Sequence, residues 1–88
     1  KTIIFGAWIK TPPEAEALIL IMDWAGGDHK YTTNSPEHPR DGEWHFVTAR
    51  RTIRKDAAGE LWFRLMVNPY KPGTAAYFDG AIAVVEKD

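Results

Sequence analysis

The sequence contains no cysteine, no long hydrophobic run and no block of charge of one sign, and each absence excludes a class of protein. Without cysteine, the chain has no disulfide, no cysteine-based zinc site and no catalytic thiol. Its longest apolar run, Ala17–Met22, is far too short to cross a bilayer. Eleven Lys and Arg against twelve Asp and Glu give a net charge of −1, which argues against electrostatic binding to nucleic-acid phosphates. We therefore expect neither nucleic acid nor membrane as a partner.

What the sequence does contain is an unusual share of aromatic residues. Four Trp, three Tyr and four Phe make up 12% of the 88 residues, while the hydrophobic share of 44% and the charged share of 26% are ordinary for globular proteins. The length leaves room for one domain, residues 1–88. The composition predicts a small, nearly neutral domain with more aromatic side chains than a core of this size requires.

Apolar and β-branched runs of strand length recur between Pro, Gly, Asn and Asp residues. The run Ala17–Asp23 is apolar on both faces, which predicts a central strand covered on two sides. A helix beginning at Pro13 is its alternative, since the next residues favour helix. The other predicted strands are Thr2–Thr11, His29–Thr33, Glu43–Thr52, Leu61–Asn68, and a strand or hairpin over Thr74–Val85 interrupted at Asp79-Gly80. Five to seven strands and no convincing helix predict an all-β, antiparallel β-sandwich.

Four short motifs carry a resemblance to a known family. They are Phe5–Thr11 (FGAWIKT), Asp41–Phe46 (DGEWHF), Thr52–Ala57 (TIRKDA) and Ala76–Ala81 (AYFDGA). In this order they resemble the galactose-binding-like jelly rolls, and most closely the carbohydrate-binding modules of glycanases and of phage virion and tail proteins. The laminin-G-like sandwiches, which share a DG-x-WH strand and a Y-x-DG hairpin, are the alternative.

The resemblance implies a jelly roll that lacks its N-terminal strands. Domains of this family have one or more strands before the AWIKT-type strand, with which this sequence opens at Lys1. We therefore expect residues 1–88 to be the C-terminal part of a larger galactose-binding-like domain, or another protein chain to complete the sheet.

Sugar recognition requires a flat aromatic face and planar polar groups. The resemblance implies that Trp8 and Trp44 pack in the core. Trp62 and Arg64 alternate with the apolar Leu61/Phe63/Leu65/Val67 side of their strand, so we expect them on the other face, where Trp62 is either a glycan platform, part of a second buried layer or a subunit contact. Trp24 is interpreted either as a ligand rim or as a plug at the end of the sandwich. The predicted ligand-binding residues are Trp62, Arg64, Trp24, His29, Tyr31 and Asp28.

Catalysis and cofactors have little support in the sequence. The three histidines lie in separate segments, and the single serine, Ser35, precedes a proline without the glycines of a nucleophile elbow. The sequence therefore predicts a protein that is not an enzyme. The resemblance implies a structural calcium ion at Asp79, for which an Asp-Gly turn without metal is the alternative. No other cofactor is expected.

Two functional hypotheses follow. The first is a non-catalytic carbohydrate-binding module that holds a glycan or polysaccharide by aromatic stacking. The second is a structural or assembly module of a phage virion, a tail or a cell-surface protein, which uses the same fold for protein contacts in a homo-oligomer or larger assembly. Both hypotheses imply an extracellular or virion-surface location.

Overall fold

The computed structural model describes residues 1–24, 30–53 and 61–86. The described residues form six strands: β1 (Thr2–Lys10), β2 (Ala15–Trp24), β3 (Lys30–Asn34), β4 (Trp44–Thr52), β5 (Leu61–Pro69) and β6 (Tyr77–Glu86). A first antiparallel sheet has the strand order β4-β1-β6 and a second has the order β3-β2-β5. The all-β prediction is confirmed. In the described ranges, no helix is long and apolar enough to span a membrane.

Strand β2 forms the centre of the second sheet and is covered on both faces. Ile19 and Ile21 point to the core and are fully buried, and Leu20 and Met22 on the opposite face are buried as well. An isoleucine-rich segment fits this position because β-branched side chains pack well on a pleated surface. The predicted central strand is confirmed, and the alternative helix from Pro13 is wrong because β2 begins at Ala15.

Strand β1 forms the centre of the first sheet and alternates as its sequence predicts. Phe5, Ala7 and Ile9 are buried, whereas Trp8 and Lys10 are exposed on the outer face. The two sheets pack face to face through their inward side chains, which form one sandwich-like core. This core contains Ile3, Phe5, Ala7, Ile9, Ala17, Ile19, Ile21, Val47 and Ala49.

Strand β6 decides between the strand and the hairpin that the sequence predicts over Thr74–Val85. The chain does not turn at Asp79-Gly80 but runs through it as one strand. The register with β1 shifts between Gly6 and Trp8, opposite this point, and Gly80 has a φ of 60°. A β-bulge of the G1 type has one residue in this left-handed conformation, and glycine adopts it without steric cost. The Asp-Gly pair therefore belongs to a bulge and not to a turn.

Two tryptophans expected in the core lie on the surface. Trp8 is 46% exposed and Trp44 is 43% exposed. Both side chains project from the outer face of the first sheet, because Trp8 alternates with the buried Ala7 and Ile9 and because Trp44 lies opposite Lys10 in the register. Strand alternation decides their position, and the core role implied by the resemblance is wrong.

Candidate functional site

The outer face of the second sheet brings together three of the six predicted ligand-binding residues. We call this surface the Trp62 face and define it by the outward side chains of β2 and β5 together with Asn34 of β3: Glu16, Leu18, Leu20, Met22, Trp24, Asn34, Trp62, Arg64, Met66 and Asn68. Trp62 lies opposite Met22 in the register, and Trp24 is the next residue of β2 on the same face as Met22. The indole rings of Trp24 and Trp62 meet edge to face at 6.5 Å between centroids. Trp62 is 40% exposed. The prediction that Trp62 projects away from the core is confirmed.

Arg64 lies against the Trp62 ring. Its guanidinium carbon is 5.5 Å from the ring centroid, which is within the range of a cation–π contact. The indole N–H of Trp24 is buried and has no hydrogen-bond acceptor among the described residues. The edge of one indole and a guanidinium group thus hold Trp62 on the sheet, while part of its surface stays in contact with solvent.

A cleft of about 440 Å³ lies further along the same face. Its polar lining comes from Glu16, Asn34 and Asn68, and Leu18 and Met66 supply apolar walls. Asn68 is six residues from Trp62 on β5, so the aromatic and the polar end of the face are about 20 Å apart at the rise of an extended strand. The Trp62 face therefore combines an aromatic surface with two amides and a carboxylate.

The other predicted ligand-binding residues do not join this face. Tyr31 lies opposite Asp23 in the register, on the core side of the sheet, and the Arg51 guanidinium carbon is 5.9 Å from its ring centroid. Asp28 and His29 lie outside the described residues.

A second aromatic surface lies on the outer face of the first sheet. Trp44 and Tyr77 flank Lys10 across three neighbouring strands. In the next row, Trp8 meets Phe46 edge to face at 5.3 Å. These four aromatic side chains are 43 to 59% exposed. Alternation in β1, which pairs Trp8 with Lys10, is the signal that identifies this surface.

A cleft of about 550 Å³ lies at the end of the sandwich beside this second surface. Lys10, Glu14, Lys71 and Tyr77 supply its charged and aromatic lining, and the loop that contains Pro72 and Gly73 closes one side. The two lysines give this cleft a more basic lining than the cleft of the Trp62 face.

The side chains of His38, Asp41 and His45 form a compact group before and within β4. Their candidate ligand atoms lie within 4.8 Å of one another. However, His38 Nδ1 accepts the Arg40 N–H, so that Nε2 carries the proton and donates to the Glu43 carbonyl oxygen. His45 Nε2 lies 2.8 Å from Asp41 Oδ2. Since neutral His38 has no free lone pair, the group is arranged to fix the loop backbone and not to hold a cation.

Asp41 has a lowered pKa. The main cause is the Glu43 N–H, which donates to Asp41 Oδ1 at 3.0 Å, and the hydrogen bond with His45 adds to it. Both contacts favour the charged carboxylate.

Asp79, the predicted calcium ligand, is exposed and accepts the Gly80 N–H at 2.9 Å. It does not belong to the His38/Asp41/His45 group. Calcium requires six to eight oxygen ligands, so the calcium site stays a prediction without structural support.

Comparison of the chain with protein-family models, with curated proteins and with solved structures finds no match.

Proposed function

We propose that the chain is a non-catalytic carbohydrate-binding module with a galactose-binding-like jelly-roll fold, and that it holds a polysaccharide on the Trp62 face. The observation that carries the proposal is the arrangement of Trp24, Trp62 and Arg64 on one outer sheet face, in line with a polar cleft. The motif order of the sequence supports the same family.

The chemistry of this face suits a sugar chain. The exposed part of Trp62 offers a flat apolar surface for the C–H face of a pyranose ring. The guanidinium group of Arg64 carries five N–H donors beside that ring, and the amides of Asn34 and Asn68 both donate and accept hydrogen bonds. Binding sites for small polar ligands are built in this way, from an aromatic wall and a few planar polar groups.

Affinity gel electrophoresis tests the proposal with soluble β-glucan, xylan, galactan and mannan as the immobilised probes. We expect retardation of the chain in at least one of these gels and its loss in the Trp62→Ala variant. Trp44→Ala is the matched control, because Trp44 is as exposed as Trp62 but lies on the other sheet. If Trp44→Ala abolishes retardation and Trp62→Ala does not, the site is wrong. If none of the four polysaccharides changes the migration of the native chain, the proposed carbohydrate-binding function is wrong.

A second candidate function is assembly, and one observation favours it. Every residue of β5 is exposed, and β6 is exposed except for two half-buried positions, although both strands are mainly apolar. Apolar strands at the edge of a sheet are sites of protein association. In an assembly module of a virion or cell-surface protein, these strands contact another chain. Sedimentation velocity tests this candidate: we expect a species heavier than one chain at micromolar concentration, and a monomer at every concentration would contradict it.

A further inference from the structure

The edge strands on the two sides of the sandwich differ in how well they are protected against pairing with a further strand. On the side of β3 and β4, the edges are protected. Strand β3 has five residues in the described part of the chain, and beyond it Ser35 and His38 donate their backbone N–H groups to the Ile19 and Ala17 carbonyls, so the chain keeps covering the edge of β2. Strand β4 has two charged residues, Arg50 and Arg51, directly before its last residue, Thr52. Short and charged edges are the usual defences against strand addition.

On the side of β5 and β6, such defences lie mainly near the strand ends, at Pro69 of β5 and at Asp79, Gly80 and Glu86 of β6. The segment Ala81–Val85 of β6 contains neither a charge nor a proline, and Leu61–Val67 of β5 contains a single charge at Arg64. Both are the last described strands of their sheets on this side. Each therefore offers a row of backbone N–H and C=O groups to a further strand.

The hydrophobic core continues onto these strands but remains open there. Ile19 and Ile21 are fully buried, whereas their neighbours on β5, Leu65 and Phe63, are 46% and 39% exposed. Across the sandwich, Val85 is 59% exposed beside the buried Ile3. On the core side, the apolar side chains Leu61, Phe63, Leu65, Val67 and Val85 together leave on the order of 450 Å² exposed, which is within the range for the largest patch on a monomer. Ile82 and Val84 leave on the order of 200 Å² more on the outer face of the first sheet, so that the total is somewhat below the roughly 800 Å² that each subunit contributes to a stable interface.

A second copy of the chain can pair with the exposed edges of β5 and β6 in one contact. Phe5 contacts the Phe63 ring at 5.0 Å between centroids and lies opposite Ala83 in the register, so Phe63 of β5 and Ala83 of β6 are both neighbours of Phe5 on the core side of the sandwich. A two-fold axis perpendicular to the sheets makes every strand antiparallel to its own image. One such axis therefore pairs β5 with β5 and β6 with β6 in the same contact.

The sequence of both strands is compatible with this self-pairing. Around Ala83, Ile82 lies opposite Val84 of the second copy, an apolar pair. Around Phe63, Trp62 lies opposite Arg64 of the second copy, so the Arg64 side chains of the two copies do not face each other. The net charge of −1 per chain opposes association little.

We infer that the chain forms a two-fold symmetric dimer in which β6 pairs antiparallel with β6 of a second copy around Ala83 and β5 pairs with β5 around Phe63. The result is a sandwich of two continuous six-stranded sheets. This inference rests on the assembly candidate and gives it a partner and a geometry. The Trp62 face stays on the outer side of its sheet in the dimer, where Trp62 lies beside Arg64 of the second copy.

Cysteine pairing tests the geometry directly, because the native chain has no cysteine. We expect that a mixture of the Ile82→Cys and Val84→Cys variants forms a disulfide-linked heterodimer under mild oxidation, since these positions face each other across the two-fold axis. Each variant alone should cross-link at least tenfold less, because its own copies are diagonal neighbours at about 7–8 Å, beyond disulfide reach. Thr48→Cys on β4 is the matched control, exposed on the same face of the same sheet but far from the proposed contact.

Sedimentation equilibrium of the Val84→Lys variant tests the energetics. We expect its dissociation constant to rise at least tenfold over that of the native chain, while Thr48→Lys leaves it unchanged. Circular dichroism and a cooperative urea transition establish that both variants fold. A native chain that stays monomeric overturns both the inference and the assembly candidate. A dimer that cross-links through Thr48→Cys, or an open-ended polymer, overturns the two-fold geometry alone.

Discussion

At the scale of single residues, one buried ion pair joins the two sheets. The carboxylate of Asp23 on β2 receives two hydrogen bonds, at 2.9 and 3.0 Å, from the guanidinium group of Arg51 on β4. The side chains are 3% and 13% exposed, and Arg51 also donates to the Thr33 hydroxyl. The bidentate geometry pairs the two charges in a place with little access to water.

Removal of one partner of this pair leaves a buried charge without compensation. We expect Asp23→Ala to lower the free energy of unfolding by about 3–5 kcal/mol, measured by urea denaturation. Arg50→Ala is the matched control, because Arg50 sits next in the chain but pairs with Glu86 on the surface. It should change stability little. Equal effects of the two substitutions would contradict the role of burial.

Gly6 illustrates a close approach between a side chain and the backbone of a neighbouring strand. A Cβ atom at this position would lie 2.5 Å from Cζ of Phe46, so the ring would have to move. We expect Gly6→Ala to destabilise the chain by about 1–3 kcal/mol, as overpacking does. In the Phe46→Ala background the same substitution should cost almost nothing. A double-mutant cycle by thermal unfolding measures the difference, and additive effects would exclude the steric explanation.

Asp41 makes the stability of the loop before β4 depend on pH. Its pKa is lowered in the folded chain by the Glu43 N–H and by His45. A carboxyl group with a depressed pKa contributes stability above its unfolded pKa of about 3.9, and this contribution disappears as the pH falls through the folded pKa. We expect Asp41→Asn to flatten the acid side of the stability profile below about pH 4 and to leave the profile near pH 7 parallel to that of the native chain. Urea denaturation at stepped pH checks this, and an unchanged acid limb would refute it.

At the scale of secondary-structure elements, alternation predicts the strands and the directions of their side chains. The segments with regular alternation or with apolar residues on both faces, such as Leu61–Asn68 and Ala17–Asp23, match observed strands to within two residues. The errors arise where another signal replaces alternation. The family resemblance implies that Trp8 packs in the core although Trp8 shares its side with Lys10, and the Asp79-Gly80 pair predicts an interruption of the strand although a bulge uses the same residues. A bulge depends on the partner strand, so one segment does not predict it.

The position of a strand in its sheet determines how much its side chains contribute to the free energy of unfolding. Ile19 of β2 is fully buried, whereas Leu65, its neighbour on β5, is 46% exposed. We expect Ile19→Ala to cost about 2–5 kcal/mol and Leu65→Ala only about 1 kcal/mol when both are measured by urea denaturation at low micromolar concentration. A cost of Leu65→Ala equal to that of Ile19→Ala in dilute solution would mean that β5 is covered in the single chain.

At the scale of the whole molecule, the candidate site is only partly predictable. Alternation within β5 is sufficient to place Trp62 and Arg64 on one face. The contact of Trp62 with Trp24 and the polar cleft lined by Glu16 and Asn34 depend on which strands pair and in which register. These pairings join residues far apart in the chain, and the local pattern does not contain them.

The exposed core of the single chain implies that its stability depends on concentration. If β5 and β6 pair with a second copy, unfolding also dissociates the dimer, so each tenfold increase in protein concentration should raise the stability by about 1.4 kcal/mol per mole of dimer. We expect the midpoint of thermal unfolding to rise with concentration for the native chain and to be independent of concentration for Val84→Lys. In the same series, Leu65→Ala should become more destabilising as the concentration increases, because dimerisation buries a side chain that is half exposed in the single chain. Ile19→Ala, already fully buried, should show no such trend. A midpoint of the native chain that does not change over a hundredfold range of concentration would mean that β5 and β6 remain open in solution.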